Sequence, residues 1–166
     1  DVVPIAKVYS GLDGDRPLTG VNVVITGATS GIGLGLTMVF AKLGATVIAM
    51  GRSPTKLQNL AASTYGNIVP ILVSLNDLSS VQQASIQIAF KFQKIDILIN
   101  NAGIHYGGMP FHKPHTPQGY DESFAVNYLS HVLLTEHMIP LLKKATNVKP
   151  TIIQISSSYH WGSDGS

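Results

Sequence analysis

The 166-residue chain has no cysteine. Disulfides, thiol nucleophiles and cysteine-ligated zinc are excluded together, and the absence is compatible with a reducing compartment. Charge is also scarce: Asp, Glu, Lys and Arg make up 12% of the residues and the net charge is only +2. The eleven Lys and Arg are scattered, so neither nucleic acid nor an anionic membrane surface is implied as a partner. No apolar run approaches the roughly 18 residues that a membrane-spanning helix needs. The first residues lack the pattern of a secretory signal. They begin at Asp1 rather than Met, so removal of an upstream segment, with any address it carried, is the expectation.

What the chain does have is hydrophobic content, 45%, arranged in alternating short runs. Residues 1–20 contain Pro4, Gly11, Gly14, Pro17 and Gly20 without sustained periodicity, and read as an irregular leader along the domain edge. From Val21 onward, β-branched runs alternate with helical stretches, as in parallel strands joined by crossover helices. Strands are predicted over residues 21–26, 46–50, 68–73, 95–99 and 151–155. Helices are predicted over 31–43, from Ser53-Pro54, from Asp77 to about Phe92, and from about Tyr120 to Lys144. Gly44 suits a left-handed C-terminal cap, and Ser53 and Asp77 suit N-caps. The loop from Gly103 to Gly119, rich in Gly, Pro and His, is long for this architecture and marks a substrate-side segment. The fold class expected is α/β: over residues 21–166, a Rossmann-type doubly wound parallel sheet that is incomplete after strand five.

The most informative stretch is Val23-Val24-Ile25-Thr26-Gly27-Ala28-Thr29-Ser30-Gly31-Ile32-Gly33. A buried strand enters a glycine-rich turn and passes straight into a helix. A pyrophosphate needs that geometry, because glycines allow close backbone approach and a helix N-terminus offers unpaired N–H groups with a partial positive charge. The spacing, Gly-three-Gly-one-Gly, differs from the better known dinucleotide fingerprint. It resembles that of the short-chain dehydrogenase/reductase family. So do Asn100-Asn101-Ala102-Gly103 after strand four, Val126-Asn127-Tyr128-Leu129-Ser130-His131 in the long helix, and Ile155-Ser156-Ser157-Ser158 after strand five. Four motifs in the family's order cover residues 21 to 160. Gly119-Tyr120 and the stretch from Asn127 to Leu134 place the resemblance nearest the retinol dehydrogenase-like and protochlorophyllide reductase-like branch. The resemblance implies a nicotinamide cofactor held by Thr26, Gly27, Thr29, Ser30, Gly31, Ile32, Gly33, Arg52, Ser74, Leu75, Asn101, Ala102 and Gly103.

The choice between NAD and NADP turns on the end of strand two. An acidic side chain there would bind the ribose hydroxyls and favour NAD, but the region reads Ala49-Met50-Gly51-Arg52-Ser53. Arg52, one of two arginines in the chain, offers a planar fork suited to a 2′-phosphate. Thr29 and Ser30 can add hydroxyl donors. NADP is the expectation. At the adenine end the family's usual Asp is replaced by Ser74, a weaker partner for the adenine amino group, while Asp77 is more simply a helix cap.

On the catalytic side the resemblance assigns Ser157 to polarise the substrate carbonyl, with its neighbours Ser156 and Ser158 as alternatives. A serine cluster at a strand end is otherwise a turn signal. Asn127 matches the family's helix Asn, which holds a water in a proton relay. The family's Tyr general acid, with a Lys four residues after it, has no match: Tyr159 is followed by Ser163, and Tyr9, Tyr65, Tyr106, Tyr120 and Tyr128 also fail. The 166 residues alone are therefore expected not to turn over substrate. The six histidines do not suggest a metal: His112 and His115 flank Lys113-Pro114 without a third ligand nearby, His131 and His137 are not neighbours on their helix, and His160 with Trp161 suits a substrate cleft.

These observations point to an NADP-dependent oxidoreductase moving hydride between nicotinamide and a carbonyl or alcohol. Tyr106, Met109, Phe111, Tyr159 and Trp161 suggest a lipophilic substrate. Two alternatives stay open: a non-catalytic subunit or fragment that keeps the nucleotide fold for assembly, and a cleaved or truncated enzyme whose downstream half is carried separately.

Overall fold

The computed structural model describes residues 17–63, 66–106 and 114–157. Strand β1 (Asn22–Thr26) leads through helix α1 (Gly31–Lys42) to β2 (Thr46–Gly51), and α2 (Pro54–Ala61) leads to β3 (Ile68–Leu72). Helix α3 (Leu78–Lys91) then crosses back to β4 (Ile97–Asn100). A further helical segment comprises α4 (Glu122–Phe124), a π-helical turn (Ala125–Leu129) and α5 (Ser130–Leu142), and it precedes β5 (Thr151–Gln154). The strands form one sheet in the order β3-β2-β1-β4-β5, and every neighbouring pair is parallel. The Rossmann-type arrangement expected from the sequence is the one observed.

Strand pleating divides the core between two faces. Val23, Ile25, Val47 and Ala49 pack with Ala41 of α1 and Leu57 and Leu60 of α2. Val24, Ile48 and Met50 pack on the other side with Val81, Ala84 and Ile88 of α3 and with Leu134, Met138 and Leu141 of α5. Uninterrupted apolar strands are what a sheet covered on both faces requires.

The predicted helix ends are in place. Gly44, with φ +95°, donates its N–H to the Ala41 carbonyl at 3.0 Å. Asp77 accepts from the Ser79 N–H at 2.9 Å, and Ser53 accepts from that of Lys56 at 3.4 Å. Residues 17–20 form a turn in which the Leu18 N–H reaches the Leu43 carbonyl at 3.0 Å. The rest of the leader lies outside the described residues.

Three expectations need adjustment. Strand β4 begins at Ile97, because the preceding residues are engaged elsewhere: the Ile95 N–H bonds the Leu141 carbonyl at 3.3 Å and buried Asp96 accepts from Lys94 Nζ at 3.1 Å. Asp96 also accepts the Asn22 N–H at 2.8 Å, which ties the starts of β1 and β4 together. The helix expected over 120–144 begins at Glu122 and is broken by the π-helical turn. Strand β5 ends at Gln154, and all its residues are exposed, since it pairs only with β4 at the sheet edge.

Leu134 is fully buried between α5 and the sheet. Leu134→Ala is expected to destabilise the chain by about 2–5 kcal/mol, the range for a cavity in a packed core. A urea midpoint that falls at unchanged slope will show it. A loss below about 1 kcal/mol would mean the site collapses or is not core.

Candidate functional site

The chain runs outward from β1 through β2 to β3 and then returns to β4 on the other side of β1. Where strand order reverses, a crevice opens at the carboxyl ends of the strands, and ligands of such sheets bind there. A groove of about 360 Å³ occupies this place.

The β1–α1 turn forms its inner wall. Gly27 and Gly31 have φ of +65° and +52°, a region that side chains with a Cβ rarely enter. A Cβ built on Gly31 meets nothing within 4 Å, so the absence of a side chain leaves open space at the start of the helix. Gly33 has the opposite role. A Cβ there would lie 2.3 Å from the Gly27 carbonyl oxygen and 2.5 Å from Asn101 Nδ2, so this glycine lets α1 pack against the turn. Ser30 caps α1 with extended backbone and no side-chain hydrogen bond, which leaves first-turn N–H groups for an anion. This cradle fits a pyrophosphate.

Gly27, Thr29, Ser30 and Ile32 line the groove, as do Arg52, Ser74, Leu75, Asn101, Ala102 and Gly103. Thr26 lies behind them, fully buried. Its Oγ1 accepts the N–H groups of Asn101 at 2.9 Å and Ala102 at 3.0 Å, while Asn101 Nδ2 donates to the Thr26 carbonyl at 2.8 Å. Arg52 stands exposed just past β2, and its guanidinium makes no hydrogen bond or ion pair among the described residues.

Asn127 sits in the π-helical turn. Its Oδ1 accepts the Ile104 N–H at 2.8 Å and its Nδ2 donates to the Ile104 carbonyl at 2.9 Å. Both ends of the amide thus hold the backbone beyond Gly103. Ser157 is exposed, two residues past Ile155, and is not part of the groove lining, whereas Ile155 is. Tyr9, Tyr65, Met109, Phe111, His112, Ser158, Tyr159, His160 and Trp161 lie outside the described residues.

The structure also joins residues singled out in the sequence, Ser74 and Tyr106, through two that sequence reasoning missed, Asn76 and Glu122. Ser74 Oγ donates to Asn76 Oδ1 at 2.6 Å, Asn76 Nδ2 donates to Glu122 Oε1 at 2.7 Å, and the Tyr106 hydroxyl donates to Glu122 Oε2. This polar chain crosses the groove from the β3 end to the long loop. The bond to Glu122 raises the Tyr106 pKa above the usual phenol value, the wrong direction for a proton donor near neutral pH. Bonds from Gln118 and then the Ser79 N–H hold the Asp77 carboxyl below its ordinary range, in keeping with a cap. His131, one helical turn after Asn127, is only 5% exposed, and its Nε2 lies 3.0 Å from Thr26 Oγ1. The spacing of 127, 131, 134 and 138 along one helix face was the available signal.

Residues 21–161 match the family model for short chain dehydrogenase. The chain belongs to the short-chain dehydrogenase/reductase family. It is 31% identical to human retinol dehydrogenase 13 over 86% of its own length and 43% of the relative's. It is 32% identical to the 3-oxoacyl-[acyl-carrier-protein] reductase FabG of Thermotoga maritima, covering 84% of the chain and 56% of the relative. Among solved structures, a short chain dehydrogenase of Escherichia coli CFT073 complexed with NADPH superposes with a TM-score of 0.65. The two are 28% identical, over 78% of this chain and 56% of the other. The chain spans about half the length of the curated relatives it matches.

Gly33→Ala is expected to cost about 1–3 kcal/mol, because the new methyl meets the Gly27 backbone as well as the hydrogen-bonded Asn101 side chain. Gly31→Val should leave a cooperative unfolding transition while abolishing dinucleotide binding, since its branched side chain fills the open space above α1. Calorimetric titration beside thermal melting distinguishes the two. Normal binding by the Gly31 variant would show that the turn does not cradle phosphate.

Proposed function

We propose that this chain is the nucleotide-binding part of an NADP-dependent oxidoreductase that moves hydride between nicotinamide and a carbonyl or alcohol of a lipophilic substrate. The observation that carries the cofactor choice is Arg52, exposed at the carboxyl end of β2 and lining the groove, with Gly51 rather than a carboxylate beside it. Bonds between a guanidinium and a phosphate contribute about 1.5–3 kcal/mol each. The solved relative with bound NADPH supports this reading, and human retinol dehydrogenase 13 supports a lipophilic alcohol or carbonyl as substrate.

When bound, the nicotinamide supplies the hydride acceptor or donor. The chain's own residues hold it in place. The first turn of α1, with the hydroxyls of Thr29 and Ser30, receives the phosphates, and Arg52 pairs the 2′-phosphate. Ser74 and Leu75 border the adenine end. Asn127 fixes the backbone at Ile104, and so would keep the segment beyond Gly103 in shape when a cofactor is bound. Ser157, exposed just past β5, is the residue that the family resemblance assigns to orient a substrate carbonyl.

Proton donation needs a tuned acid, and Tyr106 is tuned away from that task. The 166 residues are accordingly proposed to bind cofactor without turning over substrate, with the acid supplied by further chain. The exposed Ile152 and Ile153 on β5, Ile155 just past it, and Val132 and Ile139 on α5 offer the surface against which that chain would pack.

Calorimetric titration should give NADP a tenfold or greater advantage over NAD, roughly one charge-assisted bond. Arg52→Ala should remove most of it. Equal affinities, or an unchanged preference in the variant, would overturn the assignment. NADPH consumption with a panel of aldehydes and ketones, by the 166 residues alone, would overturn the claim about the acid.

A further inference from the structure

His131 is buried behind the groove and has no part in the reading above. The hydrogen bonds around Thr26 decide which of its nitrogens carries the proton. A hydroxyl oxygen accepts two hydrogen bonds and donates one. Both acceptor positions of Thr26 Oγ1 are taken, by the N–H groups of Asn101 and Ala102. What remains for His131 Nε2, 3.0 Å away, is the hydroxyl proton, so Nε2 is the acceptor. The ring proton then sits on Nδ1, which lies 3.3 Å from the Asn127 carbonyl, a group that can only accept. In this one arrangement every donor meets an acceptor. An imidazolium would aim a second N–H at an oxygen whose lone pairs are already used, and the bond to Asn101 or Ala102 would have to yield.

We propose that His131 is a positioning residue whose neutral, Nδ1-protonated ring locks the phosphate turn, the 101–102 segment and the Asn127 turn into one unit, so that protonating it loosens the groove and weakens dinucleotide binding. The coupling rests on the dinucleotide reading given above. Among the described residues, those that the packed elements bury around the ring include no other titratable group. α3 buries Val81, Ala84, Ser85 and Ile88, β4 buries Leu98, Ile99 and Asn100, and β1 presents Thr26. Burial pushes the His131 pKa below the ordinary histidine value, and the Asn127 carbonyl opposes this only in part. The native state thus binds fewer protons at this ring than the unfolded chain. Stability is complete above about pH 6.5 and declines as the pH falls below it.

Two measurements on the full chain test the proposal. Nitrogen-15 NMR of the histidine ring should place the proton on Nδ1, and the amide signals of Asn101 and Ala102 should shift with the same midpoint as the ring. Calorimetry with NADP⁺ between about pH 8 and 5.5 should show affinity falling severalfold more in the native protein than in His131→Gln, with the extra loss confined to the acid end of the range. Titration of the 2′-phosphate is common to both proteins and cancels in that comparison. A residue with a merely structural part would lower affinity equally at every pH. Parallel profiles, a proton on Nε2, or amide signals indifferent to the ring would each overturn the inference. If neither NADP⁺ nor NAD⁺ binds at any pH, the proposed function fails, and the ring and amide signals still judge the network. Should His131→Gln fail to fold, the same signals in the native chain decide.

Discussion

A single hydroxyl, that of Thr26, holds the site together. The β1–β4 ladder ends at the pair Ile25 and Ile99, after which the two chains must part to leave a crevice. Backbone pairing can no longer hold them. The Thr26 side chain takes over by accepting two amide hydrogens from residues 101 and 102, and the Asn101 side chain answers with a bond to the Thr26 carbonyl. Buried polar groups carry a large penalty when unpaired, so this arrangement tolerates little rearrangement. The groove wall, the position of Gly103 and the backing of the phosphate turn all depend on it.

Around that joint the groove is built from closeness on one side and charge on the other. Gly33 lets α1 approach the Gly27 carbonyl, and the open volume at Gly31 faces outward from the same turn. The uncapped helix start and Arg52 both favour negative charge, whereas the Glu122 carboxylate stands across the groove and is quieted by bonds from Asn76 and Tyr106. The groove is therefore polarised along its length. On the proposed reading an anion would find its partners at the turn and at the end of β2, with the apolar lining of Leu75 and Val126 left for an uncharged part of the ligand.

Much of this was legible in the sequence because the physical signals were local. Strands such as 21–26 and 46–50 are apolar on both faces, and caps such as Asp77, Ser53 and Gly44 act within a turn of their own helices. The glycine turn was legible for the same reason, with strand, turn and helix contiguous. What escaped was assembled across the chain. Glu122 reaches the groove only through tertiary folding, and Asn76 meets it over 46 residues of separation. His131 read as an isolated helical histidine, since Thr26 lies 105 residues away. The π-helical turn at Asn127 had no local signal, and the Asn127 side chain in it bonds the backbone of Ile104, 23 residues away. Strand β5 forms the sheet edge, in keeping with a sheet that is incomplete after strand five, and its isoleucines remain exposed.

The same separations govern the order in which the molecule can come together. Neighbouring β1, α1 and β2 close short loops, whereas the Asn22–Asp96 bond spans 74 residues and the Thr26–His131 bond 105. Loop closure costs entropy before the contact returns anything, and non-local parallel pairing is intrinsically slow. The phosphate turn is thus shaped early by its own βαβ unit but lacks its backing until β4 and then α5 have docked. Competence at this groove reports on completed folding of the whole sheet, and a chain caught part-way would present the turn without the wall behind it.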